Sequence, residues 1–79
     1  MRLEIRVFAG LHKYIPAAHS GEPIDLEIQD GCDGYELLSA LNIPVPEAFV
    51  FMVNGCRQDL SEPLADGDRI GIFPPIGGG

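Results

Sequence analysis

The chain has 79 residues, 46% of them hydrophobic, and carries five basic against twelve acidic side chains for a net charge of −7. That length makes one small domain, residues 1–79, with apolar material enough for a core without disulfide or metal staples. The charge argues against nucleic acid and anionic membrane surfaces, both of which need a basic face, and favours partners with basic docking surfaces.

Leu3, Ile5 and Val7 alternate with Arg2, Glu4 and Arg6, the pattern of a half-buried strand. The same alternation puts Phe8 on the polar, outward face, where a large aromatic is out of place. Leu11 to Ile15 allow one helical turn, which Pro16 ends. Residues 17–23 read as loop. Ile24, Leu26 and Ile28 alternate with Asp25, Glu27 and Gln29, an edge strand with its acidic face to water, closed by Asp30-Gly31. The two strands suggest a hairpin.

Asp33 reads as a helix N-cap, with Glu36 completing a capping box. Leu37, Leu38 and Leu41, together with Tyr35, give the helix its apolar face. Pro44 and Pro46 are expected to end it after about ten residues, so its stability must come from packing. Ala48 to Val53 is apolar at every position, which marks a central strand or one with a sticky outer face. That run is far too short to cross a membrane. Asn54-Gly55 is the strongest hairpin signal in the chain. Cys56 to Asp59 is the expected return strand, Leu60 and Leu64 anchor the next loop, and Asp66-Gly67-Asp68 is a turn. Arg69 to Phe73 is the last strand, with Ile70 and Ile72 inward and Phe73, like Phe8, outward. This order predicts an α+β fold, a sheet of four to five strands with one main helix across it.

The amino-terminal alternation is no signal-peptide core, so a cytoplasmic protein is expected. Cys32 and Cys56 form no close pair and lack clustered histidines, so no metal site is expected, and both thiols should be reduced. His12, His19 and the single lysine, Lys13, carry no catalytic pattern.

The chain ends Phe73-Pro74-Pro75-Ile76-Gly77-Gly78-Gly79. Two prolines favour extended backbone, and three glycines leave a tail without side chains. From Phe73 onward an extended chain reaches roughly 20 Å, far enough to carry the terminal carboxylate into a buried site of another protein. The reacting group is then the Gly79 carboxylate, with Gly78 letting the backbone pass a constriction. No phosphate-cradling loop and no nucleophile–base pair appears elsewhere.

Leu64-Ala65-Asp66-Gly67-Asp68, Val53-Asn54-Gly55 and the ending Ile72 to Gly79 together resemble the β-grasp, ubiquitin-like sulfur carriers. These are the molybdopterin synthase small subunit (MoaD type) and the thiamine-thiazole carrier (ThiS type). Phe73-Pro74-Pro75 is similar to the molybdopterin branch, whereas thiazole carriers usually lack those prolines. Gly77 is a mild departure, since a small or polar residue is common there.

The resemblance implies a mixed sheet with the first and last strands parallel at its centre and the third strand beside the last. It also implies a cycle. An E1-like adenylyltransferase uses ATP to adenylate Gly79, and a sulfur donor protein converts the adenylate to a thiocarboxylate. The tail, about residues 74–79, then enters a larger synthase subunit and gives its sulfur to a pterin precursor. The chain itself is then a carrier without bound cofactor or catalytic side chains. In that arrangement Phe8, Val50, Met52 and Phe73 lie together as a docking face, with Gly71 leaving a gap, and Pro74, Pro75, Ile76 and Gly77 lead from it to the terminus. Arg57 and Arg69 with Glu62, Asp66 and Asp68 read first as solvated turn residues and second as a polar rim. A thiazole-type carrier and a protein modifier joined through its terminal glycine share the tail chemistry.

Overall fold

Six residues of alternating burial form the first strand, β1 (Arg2–Val7), in which Leu3, Ile5 and Val7 are fully buried. The computed structural model describes residues 1–15 and 21–75. A 3₁₀ turn, Leu11–Tyr14, follows β1. The chain returns as β2 (Ile24–Glu27), then forms helix α1 (Gly34–Leu41), a second 3₁₀ turn (Val45–Glu47), and strands β3 (Val50–Val53), β4 (Cys56–Arg57) and β5 (Arg69–Phe73).

The five strands form one sheet in the order β2-β1-β5-β3-β4. β1 and β5 run parallel at its centre, with Ile5 opposite Ile70 and Val7 opposite Ile72. β3 lies antiparallel to β5, with Phe51 opposite Ile72 and Val53 opposite Ile70. One face is therefore a continuous apolar layer, and α1 covers it with Leu37, Leu38 and Leu41. β2 is an edge strand, as its acidic face requires. This is the β-grasp arrangement, α+β with five strands.

The capping box is complete: the Glu36 amide donates to Asp33 Oδ1 at 2.9 Å, and the Asp33 amide donates to Glu36 Oε1 at 3.3 Å. The end of the helix differs from expectation. It stops after eight residues because Asn42 takes a left-handed conformation (φ 60°) and its amide turns back onto the carbonyls of Leu38 and Ser39. Asn is one of the few side chains that tolerates this geometry. Pro44 instead opens the following 3₁₀ turn. Tyr35 is not on the packed face; it is half exposed, and buried Gly34 takes the contact with the loop. A Cβ at Gly34 would sit 2.8 Å from Leu60 Cδ2 and 3.0 Å from the Leu60 backbone.

Asn54 (φ 53°) and Gly55 (φ 82°) both have positive φ, so the β3–β4 hairpin closes through the tight turn their sequence announces. The return strand is shorter than Cys56 to Asp59: Cys56 and Arg57 pair with β3, and the Gln58 amide adds one bond to the Phe51 carbonyl at 3.1 Å. Leu64 is buried, and Leu60 packs at the edge of the core. The Asp66-Gly67-Asp68 turn is fastened from three sides. Asp66 accepts the Arg2 amide at 2.7 Å; Asp68 accepts the Ala65 amide at 2.8 Å and the Asn54 side-chain amide at 3.0 Å. Asn54 in turn accepts the Arg69 amide at 3.0 Å. These bonds fix where β5 begins, and with it the alignment of β5 against β1.

Candidate docking face and the strand that leads to the carboxyl terminus

The alternation that buries Ile70 and Ile72 must turn Gly71 and Phe73 to the other side of the sheet. Val50 lies opposite Phe73 and Met52 opposite Gly71, so all four share the uncovered face. Phe8 joins them because its amide still donates to the Ile72 carbonyl, at 3.2 Å, one residue beyond the end of β1. The Phe8 and Phe73 rings stack with centroids 4.5 Å apart and planes 3° from parallel. Offset stacking of this kind adds about 0.5–1.5 kcal/mol beyond area burial. The ring pair is half-buried, with one side left to solvent.

Phe8, Val50, Met52 and Phe73 are thus brought together as expected, and the gap at Gly71 is only about one methyl group deep. A Cβ there would meet Phe73 Cε1 at 3.5 Å, because the Phe73 ring lies along the strand and covers that position. On the other side of Phe8, Gly21 approaches its ring to the same distance, measured from an added Cβ. The first aromatic is therefore both a face residue and a rest for the returning loop.

Pro74 and Pro75 extend this surface. With Ala9, Phe49, Val50, Met52 and Phe73 they line a groove of about 520 Å³ whose walls are almost wholly apolar. Phe49 and Ala9 escaped the sequence reading. Phe49 is 63% exposed and precedes the first paired residue of β3, so strand alternation does not govern it. Its signal was the unbroken apolar run from Ala48, which offered no polar residue for an outer face. Ala9 is held at φ 53°, unusual for a residue with a Cβ, at the point where the chain leaves the sheet. Ile76, Gly77, Gly78 and Gly79 lie outside the described residues, as do Pro16 and His19.

The remaining marked residues fall away from the groove. Cys32 is buried, and burial together with Glu36 and Asp33 pushes its thiol up from the usual range. Cys56 is exposed in the hairpin. Asp66 and Asp68 are turn fasteners, and Glu62 sits in an exposed turn. Lys13 lies over the Tyr14 ring at 5.2 Å. No helix among the described residues is long and apolar enough to cross a membrane.

The sequence profile of the ThiS family matches residues 5–79. The chain belongs to the ThiS family. It is a ubiquitin-like sulfur carrier, a class of small proteins that are generally non-catalytic. No curated protein matches it. Among solved structures, SAMP1 from Haloferax volcanii superposes with a TM-score of 0.75 at 20% identity, over 100% of both chains. A putative molybdopterin converting factor subunit 1 from Pyrococcus furiosus gives 0.73 at 22% identity, over 96% of this chain and 99% of that one. At those identities the likeness is one of fold. The complex of subunits 1 and 2 of the molybdopterin-converting factor from Helicobacter pylori contains a similar chain, with a TM-score of 0.60 and 26% identity over 100% of both.

Proposed function

We propose that this carrier serves molybdopterin synthesis, as the small subunit of a two-subunit synthase. The observation that carries the reading is the continuity of the apolar face with Pro74 and Pro75, the residues that lead into the tail. A face that adheres to a partner and an exit strand stiffened by two prolines aim the terminus into that partner's site. The H. pylori complex, in which a similar chain is paired with subunit 2, supports the same arrangement.

In this reading the large subunit holds the catalytic side chains. An E1-like enzyme supplies the ATP site: the Gly79 carboxylate attacks the α-phosphorus and pyrophosphate leaves. Sulfur from a donor protein then takes the place of AMP on the acyl carbon. The thiocarboxylate so formed is a soft nucleophile, which the free carboxylate is not. Two such carriers in turn, each giving one sulfur to the pterin precursor and leaving as the hydrolysed carboxylate, build the dithiolene inside the large subunit. Gly78 and Gly79 keep side chains away from the reacting carbon.

Intact mass of the carrier isolated from cells tests the first half. A species heavier by the replacement of one oxygen with sulfur should appear, and should vanish when the adenylating enzyme is deleted. The second half is tested by mixing the thiocarboxylated carrier with the large subunit and pterin precursor and assaying the dithiolene product. Sulfur transfer to thiazole synthase instead, or recovery of the carrier only as conjugates on other proteins, would overturn the pterin assignment.

A further inference from the structure

Strand register places every arginine of this acidic chain on one side of the sheet. Arg2 and Arg6 alternate with the buried residues of β1, Arg69 lies opposite Glu4, and Arg57 lies opposite Met52. On its strands that face holds four arginines and three carboxylates (Glu4, Asp25 and Glu27), a balance of +1, or −1 with Asp66 and Asp68 of the adjoining turn; the rest then holds one lysine and seven carboxylates, −6. The docking face is therefore close to neutral, whereas the rest of the molecule is acidic.

The arginines nearest the aromatic pair are also the ones without firm partners. Arg2 is paired with Glu27 at 2.9 Å, at the far edge. Arg6 and Arg69 line a second groove with Phe8, Met52 and Phe73. Arg6 has only a loose contact with Glu4, at 3.8 Å, and Arg57 and Arg69 have no ion pair among the described residues. The acids beside Arg69 are occupied, Asp66 and Asp68 by the amides of the turn. A partner that covers this face must desolvate guanidinium groups, which is costly unless acceptors are supplied, and a basic partner would add like-charge repulsion.

We propose that the protein surfaces receiving this face present carboxylates to Arg6, Arg57 and Arg69 around an apolar centre. This reverses the expectation, drawn from net charge, of a basic partner surface. It rests on the docking role assigned to the face above. The rest of the molecule, at −6, is then repelled by the same acidic partner, so only one orientation of approach is favoured.

The test measures association rates at low salt, separately with the adenylating enzyme and the synthase large subunit of the same organism. Arg6→Glu/Arg69→Glu should associate on the order of tenfold more slowly than the parent and lose most of the salt dependence. Glu62→Lys, which neutralises acidity away from the face, should associate as fast or faster. A double variant as fast as the parent, or a slowed Glu62→Lys, overturns the proposal, provided thermal melting shows both folded. If Phe73→Asp binds both enzymes like the parent, the docking role itself fails and the arginine assignment falls with it. If the parent binds only the adenylating enzyme, the pterin reading fails while the arginine series still decides on that partner.

Discussion

The two faces of the sheet are written in the same alternating code and do opposite things. On the covered face, Leu3, Ile5, Val7, Ile70 and Ile72 meet the helix and are closed to water. On the open face, Phe8, Phe73, Val50 and Met52 hold comparable apolar surface, and α1 does not cover it. Folding needs the first set; the second gives the fold only the stacked ring pair and the support that Phe8 lends Gly21. The contrast separates residues that hold the shape from residues proposed to hold a partner, and it makes the separation measurable.

The largest effect should come from the covered face. Leu37→Ala removes a side chain with no exposure from the centre of the core. It should cost about 2–5 kcal/mol, a large share of the about 5–15 kcal/mol that holds a small domain together. Urea unfolding gives the loss directly. Partner affinity of the folded fraction should stay at the parent value, and a fall in both together would erase the distinction between the faces.

Phe73→Asp is the mirror experiment. The stacked pair is half-buried, so stability should fall by only about 1 kcal/mol. Affinity for the adenylating enzyme should fall by about 2 kcal/mol or more, as expected of a central aromatic anchor. Calorimetric titration beside a thermal melt reads both quantities. Stability lost without affinity would reassign Phe73 to the core.

Much of the covered face could be read from the sequence because its signals are local. Period-two burial gave β1 and β5, Asn54-Gly55 gave the hairpin, and Asp33 with Glu36 gave the helix start. The strand order came from the family resemblance, since no pattern within a strand names its neighbour. What escaped reading depends on where other segments pass. Asn42 ends the helix before the prolines because its conformation satisfies the free carbonyls sooner. Tyr35 turns outward because the buried face of the helix runs through Gly34, Leu37, Leu38 and Leu41, and position 35 lies off it. Phe49 lies ahead of the paired strand, and the gathering of arginines on one face exists only once four strands are in register.

The contact of Gly34 with the loop at Leu60 gives a further way to sharpen the contrast. Gly34→Ala raises helix propensity but sets a methyl against Leu60 backbone at 3.0 Å, which a side-chain rotation cannot relieve. The expected loss is about 1–3 kcal/mol, seen in urea unfolding, with docking unchanged. A gain in stability would mean that the loop yields freely and that the glycine is there for another reason. Removing the cap with Asp33→Ala should cost about 1 kcal/mol.

The smallest perturbation changes no contact at all. Cys56 is exposed in the hairpin, whereas Cys32 is buried and its thiol is pushed up by burial and by the carboxylates of Glu36 and Asp33. Thiolate is the reactive form, so exposure favours Cys56, and burial and the raised thiol both protect Cys32. Alkylation of the native protein, followed by intact mass, should stop at one adduct, and peptide mapping should place it on Cys56. A second adduct should appear only in denaturant. Rapid labelling of Cys32 under native conditions would mean that the loop joining β2 to α1 opens readily, and that the covered side of the molecule is less closed than its packing implies. Because Cys56 faces Val53 across the hairpin rather than the aromatic pair, the single adduct should leave binding through Phe73 intact. If alkylation of Cys56 blocked partner binding, the docking surface would have to wrap past Arg57 around the β4 edge onto the side that Cys56 shares with Val53.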